Sequence, residues 1–159
     1  VITLNEASNI EAALSSAAWA DEVIVIDSES TDETVSLARR YTDKGLVRHW
    51  PGFSAQKNFA ADQSAHDWIL SLDADERITP ALAEEIRRVL SDEPPARGYQ
   101  IPRVSHYLGR WIRSTDWYPD HQLRLYDRRV ARWVGDYVHE GVVVEGRVGT
   151  LRGELAPHP

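Results

Sequence analysis

Cysteine is absent from the 159 residues, and so is methionine. The first absence rules out disulfides and thiolate metal sites. The second extends to position 1, where "VITLNE" starts inside an apparent strand; at the far end "ELAPHP" stops without a convincing finish. The chain is therefore expected to be part of a longer protein, and a membrane-binding tail would lie outside it. Positive charge is scarce: 18 Lys and Arg stand against 25 Asp and Glu, for a formal net charge of −7. That balance argues against a general nucleic-acid binder, which needs a basic face, while leaving room for a local basic pocket. No apolar run approaches a membrane span, no signal peptide opens the chain, and no repeat or low-complexity tract interrupts it.

What is present is ordinary for a globular protein, with 42% hydrophobic and 27% charged residues. The length suits one domain with a real core. "VITL" reads as a short strand, followed by a helical pattern through "NIEAALSSAAW" with Ile10, Leu14 and Ala17 on one face. "EVIVID" is a β-branched strand ending at Asp27, and "SESTDET" supplies caps for a helix over about Thr31 to Tyr41. "LVRHW" is a third strand, "SAQKNFAADQSA" a helix and "WILSL" a fourth strand. "TPALAEEIRRVL" is a strongly amphipathic helix with Thr79 as N-cap and Pro80 in its first position.

This β-α-β-α-β-α-β-α order predicts an α/β fold with an open, mostly parallel sheet and helices on both faces. Ligands of such sheets bind beyond the carboxyl ends of the strands. Asn5 and Glu6, Asp27, and Asp73 with Asp75 all fall just past strand ends, so the acidic positions are expected to share one rim. After Pro94-Pro95 the texture changes. "GYQIPRV", "HQLRLYD" and, more weakly, "EGVVVEG" alternate like antiparallel strands, and "SHYLGRWIRSTDWYPD" between the first two reads as a long functional loop.

Carboxylates are almost never fully buried unless paired or bound to a cation, so the end of "WILSLDADERI" raises a question of charge. On an extended chain Asp73 and Asp75 point the same way. Two hard oxygen donors suit Mg²⁺ or Mn²⁺, with phosphate oxygens and water completing the shell. The alternative is an acidic helix entrance favoured by the dipole. Asp27 is placed to accept from a uracil N3–H or a ribose hydroxyl, or to cap its own turn. Lys57, in "QKN", has as partners a phosphate, Asp27 or bulk solvent.

Together "TLNEASNI", "ADEVIVIDSESTDET", "GFSAQKNFA", "DWILSLDADERI", "WYPDHQLRLY" and "VHEGVVVEG" resemble inverting glycosyltransferases of family 2, with the GT-A fold. The likeness is greatest to the bacterial lipopolysaccharide-core β-glucosyltransferase group. It covers nearly the whole chain, in order. It implies a three-layer α/β/α sandwich, with residues 1–93 binding nucleotide-sugar and 94–159 supplying the acceptor side and the base. Thr3, Asn5 and Glu6 would border the nucleotide, Asp27 would hold the base ring, and Ser28 and Ser30 would lie nearby. Lys57 matches a basic position near the phosphates. Asp73 would lie against ribose or metal, Asp75 would bind Mn²⁺ or Mg²⁺ directly, and His139 matches a late metal ligand.

Asp120 matches the catalytic base, with Asp116 and Glu140 as rivals. An inverting transferase needs one carboxylate to take the proton of the attacking hydroxyl. Gln122 and Arg124 would lie near the diphosphate or support the base loop. Trp111, Trp117 and Tyr118 would stack on an acceptor sugar. The "STD" run at Ser114 to Asp116 departs from a Gly-rich stretch in the family, and Asp120 lacks the family's usual acidic neighbour.

The activity implied is transfer of a hexose from a nucleotide-diphosphate sugar, UDP-glucose favoured, to a glycan, lipopolysaccharide-core or lipid-linked hydroxyl. It would take place in the cytoplasm at the inner face of the cytoplasmic membrane, with peripheral membrane contact. Neither a nucleic acid nor a particular protein partner is implied. A haloacid-dehalogenase-type phosphatase also carries D-x-D, but its first Asp sits on the opening strand and is followed by Thr or Val. A nucleotidyltransferase would open with a Gly-rich phosphate loop, which "TLNEASNI" lacks. The non-enzymatic alternative is a degenerate domain that binds nucleotide or glycan without turnover.

Overall fold

The computed structural model describes residues 1–107, 110–112, 119–135 and 139–157, without the side chains of 105–107 and 110–112. Its first half alternates strands and helices. β1 (Ile2–Thr3), β2 (Ile24–Asp27) and β3 (Lys44–Val47) form a parallel sheet in the order β1-β2-β3, linked through α1 (Ile10–Ser16) and α2 (Thr34–Ala38). α3 (Phe53–Asp62) leads to β4 (Trp68–Leu70), and β5 (Glu76–Ile78) precedes α4 (Pro80–Ser91). Thr79 caps α4 as the sequence predicts, accepting from the Leu82 N–H at 3.3 Å, with Pro80 just inside.

The α/β fold is the expected one, but the central sheet is mixed. β4 runs antiparallel to β9 (Asp120–Asp127), and β9 runs antiparallel to β6 (Gly98–Arg103). The far edge of β6 is filled in parallel by β12 (Val148–Thr150) and, at Arg103, by β13 (Leu155–Pro157). β13 then pairs antiparallel with β5. The two halves of the chain therefore share one sheet. A parallel bridge between Ile2 and Asp73 joins the β1 edge to the segment after β4.

Residues 105–120 are not the uniform loop expected. They include β7 (Ser105–Tyr107) and β8 (Arg110–Ile112), an antiparallel ribbon, and Asp120 opens β9. β10 (Ala131–Val134) and β11 (Gly141–Val144) make a second two-stranded ribbon.

Leu82 and Ile86 of α4 pack with Ile78, Tyr99, Ile101, Leu125 and Leu155 in the main core. Each such aliphatic side chain contributes about 1.5–3 kcal/mol on burial. Ile10 and Leu14, the predicted inner face of α1, are buried with Val25, Ala38 and Ala74 in a second cluster, and Ala17 joins the first. Ala74 in that list matters for the site, because it anchors the segment that carries the two aspartates.

Candidate active site

Parallel pairing sets Thr3 directly beside Asp27, at the carboxyl ends of β1 and β2. The loops beyond are bonded to each other. The Asn5 N–H donates to Ser30 Oγ at 2.8 Å, Asn5 Oδ1 accepts from the Thr31 N–H at 2.8 Å, and the Glu6 N–H donates to Thr34 Oγ1 at 2.9 Å. Asn5 (φ 52°) and Glu29 (φ 64°) hold left-handed backbone, strain that is uncommon outside glycine and concentrates at functional loops. Asp27 is 2% exposed and takes both its bonds from Ser30, from N–H at 2.7 Å and from Oγ at 2.6 Å, so it caps its own turn. Ser28 Oγ accepts from Gln56, and the buried Thr3 hydroxyl has no hydrogen-bond partner among the described residues.

Asp73 lies next in line, beside Ile2. Here the expected extended geometry gives way to a turn. The Glu76 N–H donates to the Asp73 carbonyl at 3.0 Å, Ala74 is buried and Asp75 is exposed at the turn. The apolar pull on Ala74 and the closing hydrogen bond bend the segment, so Asp73 and Asp75 do not share one face of a strand. Asp73 instead faces Arg124, whose Nη2 is 3.1 Å from Oδ2.

Arg124 is buried, only 3% exposed. Leu123 pairs with Gln100 and Leu125 with Tyr99, so Arg124 is the extra residue of a β-bulge. Bulges re-aim side chains, and this one delivers the guanidinium to Glu76 at 2.8 and 3.2 Å as well as to Asp73. Glu76, also 3% exposed, accepts the Asp73 N–H at 3.0 Å. Burial pushes Asp73 up, but the charges of Arg124 and Lys57 outweigh it and hold the carboxyl below its ordinary value. For Glu76 burial wins, aided by the Asp73 charge and opposed by Arg124, and the carboxyl is raised.

On β9, Asp120 and Gln122 point the same way, and Gln122 donates to Asp120 Oδ1 at 2.8 Å. Arg103, opposite Asp120 in the ladder, donates to Oδ2 at 2.7 Å. Burial works to raise Asp120, but the Gln122 hydrogen bond and then Arg103 hold it below the usual carboxylate range. Gln122 thus supports the candidate base.

Lys57 is buried, and its partner is Glu140 at 3.1 Å rather than Asp27 or solvent. The Trp133 ring lies 4.0 Å from the same ammonium. His139 is exposed and adjoins Glu140. Trp111 lies on β8 with no described side chain; Asp116, Trp117 and Tyr118 fall outside the described residues.

Among the described residues no three His, Asp or Glu side chains gather as a metal cluster. Asp75 offers an exposed carboxylate, a hard oxygen donor of the kind a divalent ion takes, whereas Oδ2 of Asp73 is engaged by Arg124.

Reading the sequence missed Arg103, Glu76 as a buried acid, and Trp133. One signal was present for the first: in the period-two reading of "GYQIPRV", Arg103 falls in phase with Tyr99 and Ile101, although in the structure it stays half-buried.

Comparison with known proteins adds the family. The model described as "Glycosyl transferase family 2" matches residues 1–144. The lipopolysaccharide core biosynthesis glycosyltransferase LpsC of Rhizobium meliloti is 32% identical over 158 residues, covering 96% of this chain and 58% of LpsC. An uncharacterized glycosyltransferase of Rickettsia bellii is 45% identical over 150 residues, 90% of this chain and 51% of the relative. The chain thus spans about half the length of these curated relatives. Among solved structures, S. aureus TarS 1-349 superposes with a TM-score of 0.67 at 15% identity, covering 99% of this chain and 58% of TarS. Its complex with UDP-GlcNAc gives 0.56 at 22% identity, covering 74% of this chain and 36% of that one. These likenesses establish the GT-A-type fold.

Proposed function

The chain belongs to glycosyl transferase family 2, and on that premise we propose that it moves a hexose, with inversion, from a nucleotide-diphosphate sugar to a glycan hydroxyl. UDP-glucose is the favoured donor, and a lipopolysaccharide-core or lipid-linked glycan at the inner face of the cytoplasmic membrane is the favoured acceptor. LpsC, named for lipopolysaccharide core biosynthesis, supports the acceptor class, and the UDP-GlcNAc complex of TarS supports a UDP-sugar. The observation that carries the reading is the run of ion pairs, through Arg124, Glu76 and Arg103, that joins two carboxylates with different surroundings. Asp73 sits at the rim of β1 and β2, and Asp120 stands beyond it, held by Arg103 and Gln122.

Asp75 and Asp73 would hold Mn²⁺ or Mg²⁺, with His139 as the candidate late ligand; when bound, the cation supplies charge neutralisation for the leaving diphosphate. Lys57 adds positive charge on the same side, and its electrostatic effect reaches Asp73. Thr3, with its unpaired buried hydroxyl, and the Asn5–Glu6 loop border the nucleotide. Asp120, kept ionised by its neighbours, accepts the proton of the acceptor hydroxyl as that oxygen attacks the anomeric carbon and the bond to diphosphate breaks. Trp111, Trp117 and Tyr118 are the candidates for stacking on the acceptor sugar.

A second reading, a nucleotide-binding module without turnover, draws on the double engagement of Asp120, which weakens it as a base. One experiment separates the two: nucleotide release from UDP-, GDP-, ADP- and dTDP-sugars, with Mn²⁺ or Mg²⁺ and glycan acceptors. Release and transfer support the enzyme. Binding of UDP with no release from any donor supports the module.

A further inference from the structure

The predicted base and the predicted donor-side acid are linked by charge. Asp120 bonds Arg103 at 2.7 Å, and Arg103 stands 3.8 Å from Glu76. Glu76 bonds Arg124 at 2.8 Å, and Arg124 stands 3.1 Å from Asp73. The signs alternate along the whole path, and its middle is buried, with Glu76 and Arg124 each 3% exposed.

Stability does not explain such a path. Buried ion pairs are commonly matched or bettered by apolar residues of the same volume, because desolvating the charges costs several kcal/mol. The arrangement does fix geometry. Glu76 ties down the Asp73 backbone through its N–H and shares its carboxylate between two guanidinium groups, one from β6 and one from the β9 bulge. We propose that Arg103 and Glu76 are positioning residues, which set the acceptor-side carboxylate of Asp120 against the donor-side turn of Asp73 and Asp75 through this chain of alternating charge. The inference rests on the reading of Asp120 as the base. Among the described residues the charged groups facing Asp120 are Arg103 from β6, Arg124 from β9 and, behind Arg103, Glu76 from β5.

The test has two arms. Asp120→Asn, assayed in the donor screen, tests the underlying reading: full turnover in this variant removes Asp120 as base, whatever Arg103 does. Arg103→Gln tests the inference by two readouts, the ¹³C titration of the Asp120 carboxyl and steady-state kinetics. With Arg103 neutralised, the Asp120 midpoint rises by about one pH unit. The kcat falls by about tenfold or more while the donor KM stays within about twofold. Arg103→Lys keeps the charge without the planar fork, so it restores the midpoint more fully than kcat. An unmoved Asp120 midpoint in Arg103→Gln, or a kcat equal to the parent's, overturns the inference. Should Arg103→Gln fail to fold, Glu76→Asp decides by the same kinetics: a shorter acid loosens the path, and an unchanged kcat overturns it.

Discussion

Lys57 and Glu140, 83 residues apart in the chain, meet at 3.1 Å. The contact docks α3 onto the segment leading into β11 and buries a cation beside the rim. Its ammonium also lies over Trp133, whose backbone N–H and carbonyl are both bonded by the Asn58 side chain. Removing one member of a buried pair leaves the other uncompensated. Glu140→Ala is therefore expected to lower unfolding stability by about 3 kcal/mol, read from urea denaturation. A change within about 0.5 kcal/mol, the range of an unremarkable surface substitution, would show that solvent already satisfies Lys57.

Arg124 carries the turn. Replacing it by Ala removes the one cation that, among the described residues, is bonded to both Asp73 and Glu76 and leaves Glu76 only Arg103 at 3.8 Å, so a loss of about 3–5 kcal/mol is expected. Arg124→Lys keeps the charge but cannot reach both carboxylates with a fork, so an intermediate loss is expected. Thermal unfolding of the two variants checks the order. Equal stability of Lys and Ala would contradict the fork geometry.

Stability should pass through two regimes on acidification. Glu76, raised above 4.5 by burial, binds its proton more readily when folded, so stability increases as pH falls through the window above 4.5. Asp73 and Asp120 are depressed below 3.8, as is Asp127 through its Arg129 hydrogen bond; their contribution is present above 3.8 and lost as pH falls through their folded values. Urea midpoints measured from neutral pH down to strong acid should rise in mild acid and then drop. Glu76→Gln should abolish the rise and keep the drop.

Gly135 has φ 93°, and a Cβ there would run into the carbonyl oxygen of His139. Its own carbonyl accepts from Ser54 Oγ at 2.6 Å, tying the start of α3 to the end of β10. Gly135→Ala is expected to cost about 2 kcal/mol or more, through both the left-handed backbone and the collision. Donor affinity should fall with it, because the same segment carries Glu140 to Lys57. Urea denaturation and UDP titration measure the two effects.

The strand ends were readable because β-branched runs such as "VIVI" stop at polar residues, and α4 was readable because its cap and its apolar stripe agree. β5, β12 and β13 were not, since "ERI", "VGT" and "LAP" lack apolar alternation and become strands only against β6 and one another. The acids of "DADER" announced a charged site, but their assignment depended on contacts from other elements. Burial of Ala74 and the Glu76 N–H bond to the Asp73 carbonyl close the turn, and Arg124 then ties its two acids together. Glu76 is the buried acid, and Arg124 finds it through a bulge that periodicity cannot display. For Asp27, turn capping and holding the nucleotide were compatible readings, and its Ser30 bonds show the capping one.

The most direct measurement is calorimetric titration of UDP into the parent protein and Asp75→Ala, each with and without Mn²⁺. Asp75 is exposed, so the substitution leaves the folded structure in place while removing a proposed metal ligand. The account predicts Mn²⁺-dependent binding in the parent that is lost in the variant. Equal binding of UDP by both proteins, indifferent to Mn²⁺, would contradict it.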